Sequence, residues 1–146
     1  IRSSFHPHAA TYIETPEETR KLMALLDFDL VGMCLDVGHW IVGGGDPVAG
    51  VVEYGKRVTH VHIKDVDPEI LKKLIAGEYE RMHVAVEDHF LFVPAGEGAL
   101  DLVGLFAELE KFGFSDWMMS EQDKAREPAE EKSGVSMRNI VAALKG

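Results

Sequence analysis

The chain has 146 residues, 46 % of them hydrophobic, which fits a single domain over 1–146 with a packed core and excludes a disordered chain. Its net charge of −10 argues against a nucleic-acid partner, because such proteins carry basic patches. No run of about 18–20 apolar residues is present, so no membrane partner or span is expected.

Residues 1–8, IRSSFHPH, read as a strand running into a loop, with Pro7 ending it. A start at Ile1, directly before strand-like residues, reads as a fragment or a trimmed chain. Thr15-Pro16-Glu17-Glu18 predicts a helix start: Thr15 caps, Pro16 takes the first helical position and Glu18 completes a capping box. Leu22, Met23, Leu25 and Leu26 carry the apolar stripe to about residue 26. Residues 30–35, LVGMCL, predict a strand buried on both faces, as in a parallel sheet. Cys34 within it is the only cysteine, which excludes an internal disulfide and suggests a reducing, cytoplasmic compartment. The strand stops at Asp36, and 37–45 reads as a loop ending in three glycines.

Asp46-Pro47 opens the next helix. Residues 58–64 then alternate as a strand does, with Val58, His60, His62 and Lys64 on one face and Thr59, Val61 and Ile63 on the other. Two imidazoles and an amine on one face suit a site better than an apolar core. Asp67-Pro68 opens a third capped helix, followed by an amphipathic piece over 78–87 and the loop LFVPAGEG. A helix is expected over 102–111, and a strand over 117–120 with Met118 and Met119 in the core. A polar stretch, 123–132, leads to a closing helix over 135–144. Four strands alternating with helices predict α/β architecture: a parallel sheet built from four βα units.

In parallel α/β folds, ligands sit at the carboxyl ends of the strands. Here those ends offer His6 and His8, then Asp36 and His39, then His60, His62 and Lys64, then Glu121 with Gln122 and Asp123. Asp, His and Glu together suit a divalent ion such as Mn²⁺, Co²⁺, Mg²⁺ or Zn²⁺, and an oxygen-rich set without thiolate favours Mn²⁺ or Mg²⁺ over a structural zinc. Plainer roles compete. A lone Asp at a strand end usually caps a helix, but Thr15, Asp46 and Asp67 already cap the expected helices and leave Asp36 free. His83 and His89 read as ordinary, and Gly43–Gly45 and Gly96–Gly98 as turns rather than phosphate cradles.

The motifs LDVGH (35–39), HVHIKD (60–65), PAGEGALD (94–101) and SEQD (120–123), in that order, resemble the xylose-isomerase-like TIM barrels. That superfamily includes sugar phosphate isomerases and epimerases. The opening FHPHAATYIET is similar to the inosose dehydratase branch. The resemblance implies the C-terminal half, about four βα units, of a (β/α)₈ barrel. It implies a divalent ion, Mn²⁺ first, held by Asp36, His62 and Glu121. It also implies Glu121 and His39 as catalytic residues, and His6, His8, His39 and Lys64 as substrate-binding residues. Where many relatives carry a first ligating Glu, this chain has FHPH, so His6, His8 or a water would stand there. The implied activity is a metal-dependent sugar or cyclitol isomerase, epimerase or dehydratase working through an enediolate. Its partner is a small-molecule sugar or inosose, and a second copy or an N-terminal half would complete the barrel. The rival readings are a non-catalytic half-barrel and an endonuclease-like phosphodiesterase, the latter disfavoured by the charge.

Overall fold

The protein is described by a computed structural model covering residues 2–145. The expectation attached to Ile1 lies outside the described residues. In chain order the elements are β1 (Ser3–Phe5), α1 (Pro16–Met23), β2 (Val31–Asp36), α2 (Val37–Val42), α3 (Pro47–Tyr54), β3 (Val58–Ile63), β4 (Asp65–Val66), α4 (Pro68–Ile75), α5 (Met82–Glu87), β5 (Phe92–Val93), α6 (Leu102–Lys111), β6 (Trp117–Ser120) and α7 (Ala129–Ala143). A short 3₁₀ turn joins α3 to β3.

The four longer strands form one sheet in the order β1-β2-β3-β6, every neighbouring pair parallel. β4 and β5 make a small antiparallel pair beside it. Strand–helix alternation forces this: parallel neighbours need a crossover, and a helix supplies it. This is the βα architecture of a TIM barrel, with four parallel strands where the closed barrel has eight.

Four of the crossover helices, α1, α3, α4 and α6, start on a side-chain cap written in the sequence. Thr15 Oγ1 accepts from the Glu18 amide, and the Glu18 carboxylate accepts from the Thr15 amide. Asp46, Asp67 and Asp101 accept from the first-turn amides of α3, α4 and α6. Met33, Leu35, Val61 and Ile63 face the helices and join Val37, Trp40, Val51, Leu105, Phe106, Leu109 and Ile140 in the main core. The opposite, concave face of the sheet is open. Trp117 is 80 % exposed there, whereas Trp40 is sealed at 3 %.

The structure departs from the sequence expectations in several places, among them the stretch LFVPAGEG, read as a loop, where Phe92–Val93 forms β5 and pairs with β4. Residues 37–42 are a helix, not a loop: Asp36 caps it, and its six residues are too few to show a period. Met118 and Met119 are 37 % and 53 % exposed, so neither is core; β6 is an edge strand with no neighbour on its far side. The last helix starts at Ala129, where Glu130 and Glu131 in the first turn suit the positive end of the helix dipole. Among the described residues, no helix is long and apolar enough to cross a membrane.

One cation ties the first unit together. The Arg57 guanidinium donates to the Met23, Leu26 and Val31 carbonyls at 2.8, 2.8 and 3.3 Å, joining the end of α1 to the start of β2. Arg57→Ala strands these carbonyls and is expected to cost about 2–3 kcal/mol. A lower urea midpoint with an unchanged slope checks this, and an unchanged midpoint refutes it.

Candidate active site

The sheet brings the polar strand ends together, and Asp36 is the hinge of the arrangement. It is the last residue of β2 and the cap of α2, with Oδ1 accepting from the His39 amide at 2.9 Å. The expectation that Asp36 is free of capping is therefore corrected: one oxygen caps. The other, Oδ2, turns into the site. It lies 3.5 Å from His6 Nε2, 3.4 Å from His62 Nδ1 and 3.5 Å from Lys64 Nζ. Glu121, just past β6, reaches His62 Nδ1 with Oε2 at 2.7 Å and Lys64 Nζ with Oε1 at 2.8 Å. Ligand atoms of Asp36, His62 and Glu121 all lie within 4.8 Å of one another.

Lys64 is 1 % exposed, and a buried ammonium is tolerable only when paired. Glu121, Asp123 at 2.9 Å and Asp36 surround it, and the Phe92 ring covers it with its centroid 4.8 Å away. Gly38 makes room for it, since a Cβ there would sit 2.7 Å from Lys64 Cγ. Burial alone would lower the Lys64 pKa, but the carboxylates around it raise the pKa above the ordinary lysine value. Burial would likewise raise the Asp36 carboxyl, yet His6, His62 and Lys64 hold it far below the usual range. His39 behaves in the opposite way. Burial, helped by the Lys64 ammonium, pushes its imidazole down to about 3 despite Asp36, so it is neutral at pH 7.

The remaining candidates divide. His39 is buried, with Nε2 3.3 Å from Lys64 Nζ, and its ring stacks on the exposed His8 ring at 3.6 Å. His60 lies one step down β3, beside Cys34 and Trp117 in register, and belongs to no ligand-spaced group among the described residues. Burial pushes the Cys34 thiol up to about 12. In the folded chain it is expected to resist alkylation at pH 8 and to react only on unfolding. Rapid labelling of folded protein, read by mass spectrometry, refutes this.

Three contributors are given no role of their own by the sequence, although Asp123 and Asp65 lie within its motifs. Asp123 is a second carboxylate on Lys64, and Phe92 packs edge-on against His39 at 5.2 Å. Asp65 is the third. Fully buried, it accepts from the amides of Val66, Leu100, Gly96 and Gly98. The glycine-rich loop is thus folded around a side chain of the protein itself. The signal available was an acidic residue inside a strand, followed by a loop rich in bare amides.

A family model described as xylose isomerase-like TIM barrel matches residues 1–141. The chain belongs to this family. The xylose isomerase-like relatives include inosose dehydratase of Geobacillus kaustophilus, 39 % identical over 123 residues, which are 83 % of this chain and 39 % of that protein. They also include the rhizopine catabolism protein MocC of Rhizobium meliloti, 36 % identical over 121 residues, covering 83 % of this chain and 36 % of MocC. The chain therefore spans well under half the length of these relatives. Among solved structures, the probable 3-DHS dehydratase AsbF of Bacillus anthracis superposes with a TM-score of 0.70 at 19 % identity, over 97 % of this chain and 49 % of AsbF. The IOLI protein with a binding zinc atom gives 0.67 at 22 % identity, over 99 % of this chain and 49 % of IOLI. At these identities the likeness speaks for the xylose isomerase-like fold.

Proposed function

We propose that the chain contributes the metal-holding carboxyl face of a sugar- or cyclitol-processing enzyme of the isomerase, epimerase or dehydratase type, with an inosose as the first substrate to try. The observation that carries this reading is the convergence of Asp36, His62 and Glu121 at ligand spacing. Relatives named inosose dehydratase support the substrate class.

The residues fit an ion. Asp36 Oδ2 and His62 Nδ1 are buried, and their close neighbours do not meet them with hydrogen-bond geometry, which is costly for polar atoms unless something binds them. Asp36, His62 and Glu121 would hold the ion; two carboxylates and an imidazole accept Mn²⁺ readily, and Co²⁺, Mg²⁺ or Zn²⁺ as well. When bound, it supplies Lewis acidity toward a carbonyl and stabilises the charge developing on oxygen.

Glu121 takes the proton alpha to that carbonyl, and the C–H electron pair moves into an enediolate. Its side chain is 34 % exposed, enough to meet a substrate, and Lys64 holds the carboxylate in place through Oε1. Neutral His39, the exposed His8 and the half-buried His6 lie on the open side, where substrate hydroxyls have partners. Return of the proton to the neighbouring carbon gives isomerisation, and return to the opposite face gives epimerisation. Departure of a β-hydroxyl, protonated to water, gives dehydration. Four further βα units, from the same polypeptide or a second copy, complete the barrel in this reading.

The test is exchange of the alpha proton in D₂O, followed by NMR, with keto-inositols and ketoses as substrates. The expected result is exchange with Mn²⁺, Co²⁺ or Zn²⁺ present and none after chelation. The absence of both metal uptake and exchange overturns the reading in favour of a non-catalytic half-barrel. Cleavage of abasic DNA without exchange overturns it in favour of a phosphodiesterase.

A further inference from the structure

Four buried polar atoms of the site make no hydrogen bond of acceptable geometry: His6 Nε2, Asp36 Oδ2, His39 Nδ1 and His62 Nδ1. Each such atom is a cost, and the three that meet at Asp36 Oδ2, with His6 Nε2 at 3.5 Å and His62 Nδ1 at 3.4 Å, call for a shared partner. Lys64 is engaged with Glu121 and Asp123. A proton joins only two of these atoms at a time, whereas an ion joins them all. The spacing suits one. Ligand atoms about 2.0–2.1 Å from a tetrahedral ion stand roughly 3.3–3.4 Å apart. Asp36 Oδ2 is 3.5 Å from His6 Nε2 and 3.4 Å from His62 Nδ1. Glu121 Oε2 sits closer to His62 Nδ1, at 2.7 Å, and its partly exposed carboxylate has room to turn.

We infer that His6 is a fourth ligand of the ion site, beside Asp36, His62 and Glu121; this rests on the metal-dependent reading above. The other imidazoles nearby are less well placed, although His39 Nδ1 is also buried without a partner. His8 Nδ1 meets the Ala9 carbonyl oxygen at 2.8 Å, and its ring stacks on His39. His39 Nε2 faces the Lys64 ammonium at 3.3 Å, a poor neighbour for a cation. His6 shares one ligand-spaced group with Asp36 and His39 and another with Cys34 and His62, whereas His39 shares one with Asp36 and His6 alone. Cys34 shares one only with the imidazoles of His6 and His62. Two neutral imidazoles and two carboxylates balance a divalent charge. The added nitrogen moves the preference from Mg²⁺ and Mn²⁺ toward Zn²⁺ or Co²⁺.

The test compares the full wild-type chain with His6→Ala and His6→Glu, by equilibrium dialysis against Zn²⁺, Co²⁺ and Mn²⁺ and by the visible spectrum of the Co²⁺ form. Wild type is expected to take one ion per chain. His6→Ala is expected to bind Zn²⁺ more than about 100-fold more weakly, with an altered Co²⁺ spectrum. His6→Glu should restore binding and swing the preference toward Mn²⁺. Unchanged affinity and spectrum in His6→Ala overturn the inference while leaving the ion site standing. No ion in wild type overturns the metal reading itself. If His6→Ala does not fold by circular dichroism, an unchanged Zn²⁺ over Mn²⁺ preference in His6→Glu overturns the inference.

Discussion

Glu121→Gln is expected to lower turnover by roughly 10²–10⁴-fold, the range lost when a general base is removed. The amide is nearly the same size and keeps a carbonyl for Lys64, but it cannot accept the substrate proton. The fold should survive. Glu121 lies on the partly exposed rim, and Lys64 retains Asp36 and Asp123 as counter-charges. Metal content and unfolding midpoint are measured alongside rate. A slow, folded variant that still holds metal isolates the loss to proton transfer. A slow variant without metal assigns Glu121 to ligation alone. Unchanged turnover removes Glu121 from the chemistry altogether.

Asp65→Asn is expected to be the most destabilising single change, at about 3–5 kcal/mol, because buried amides left without an acceptor cost about 1–3 kcal/mol each. The native carboxylate takes four amides, two on each oxygen. Asparagine keeps one oxygen and turns an NH₂ group toward the other two donors. The Asp65 side chain is fully buried, so the new NH₂ group meets those donors with no water between. Gly98 shows how tight the cradle is: a Cβ there would stand 2.4 Å from Asp65 Oδ1 and from the Val66 carbonyl oxygen. The consequence extends to the site. The loop of 94–100 follows Phe92, whose ring lies over Lys64 and against His39. Urea unfolding of Asp65→Asn measures the cost, and a loss under about 1 kcal/mol would show that the amides find other partners.

The alternating strand at 58–64 and the capped helix starts were legible because each rests on local rules: period two in one case, a side chain meeting its own first turn in the other. The meeting of Asp36, His62 and Glu121 was legible only through fold class, since parallel strands bring their carboxyl ends to one rim. What stayed hidden depended on partners distant in sequence. Asp36 serves a cap and a site with separate oxygens, which no single-residue role anticipates. Asp65 looks like any strand-end acid until the loop 30 residues later closes on it. Met118 and Met119 carry core-like chemistry but sit on an edge strand, so their exposure follows from what lies beside β6 and not from their own character.

The unequal burial of the two tryptophans has an optical consequence. Trp40 is packed under α3 with its indole N–H on the Asp46 carbonyl, while Trp117 stands in water on the concave side of the sheet. Fluorescence from the first is shielded from iodide, and that from the second is open to it. Anything that covers the concave side dries one indole and leaves the other as it was. Barrel closure is therefore written into the quenchable fraction of the protein's own emission, and can be followed in solution without a label.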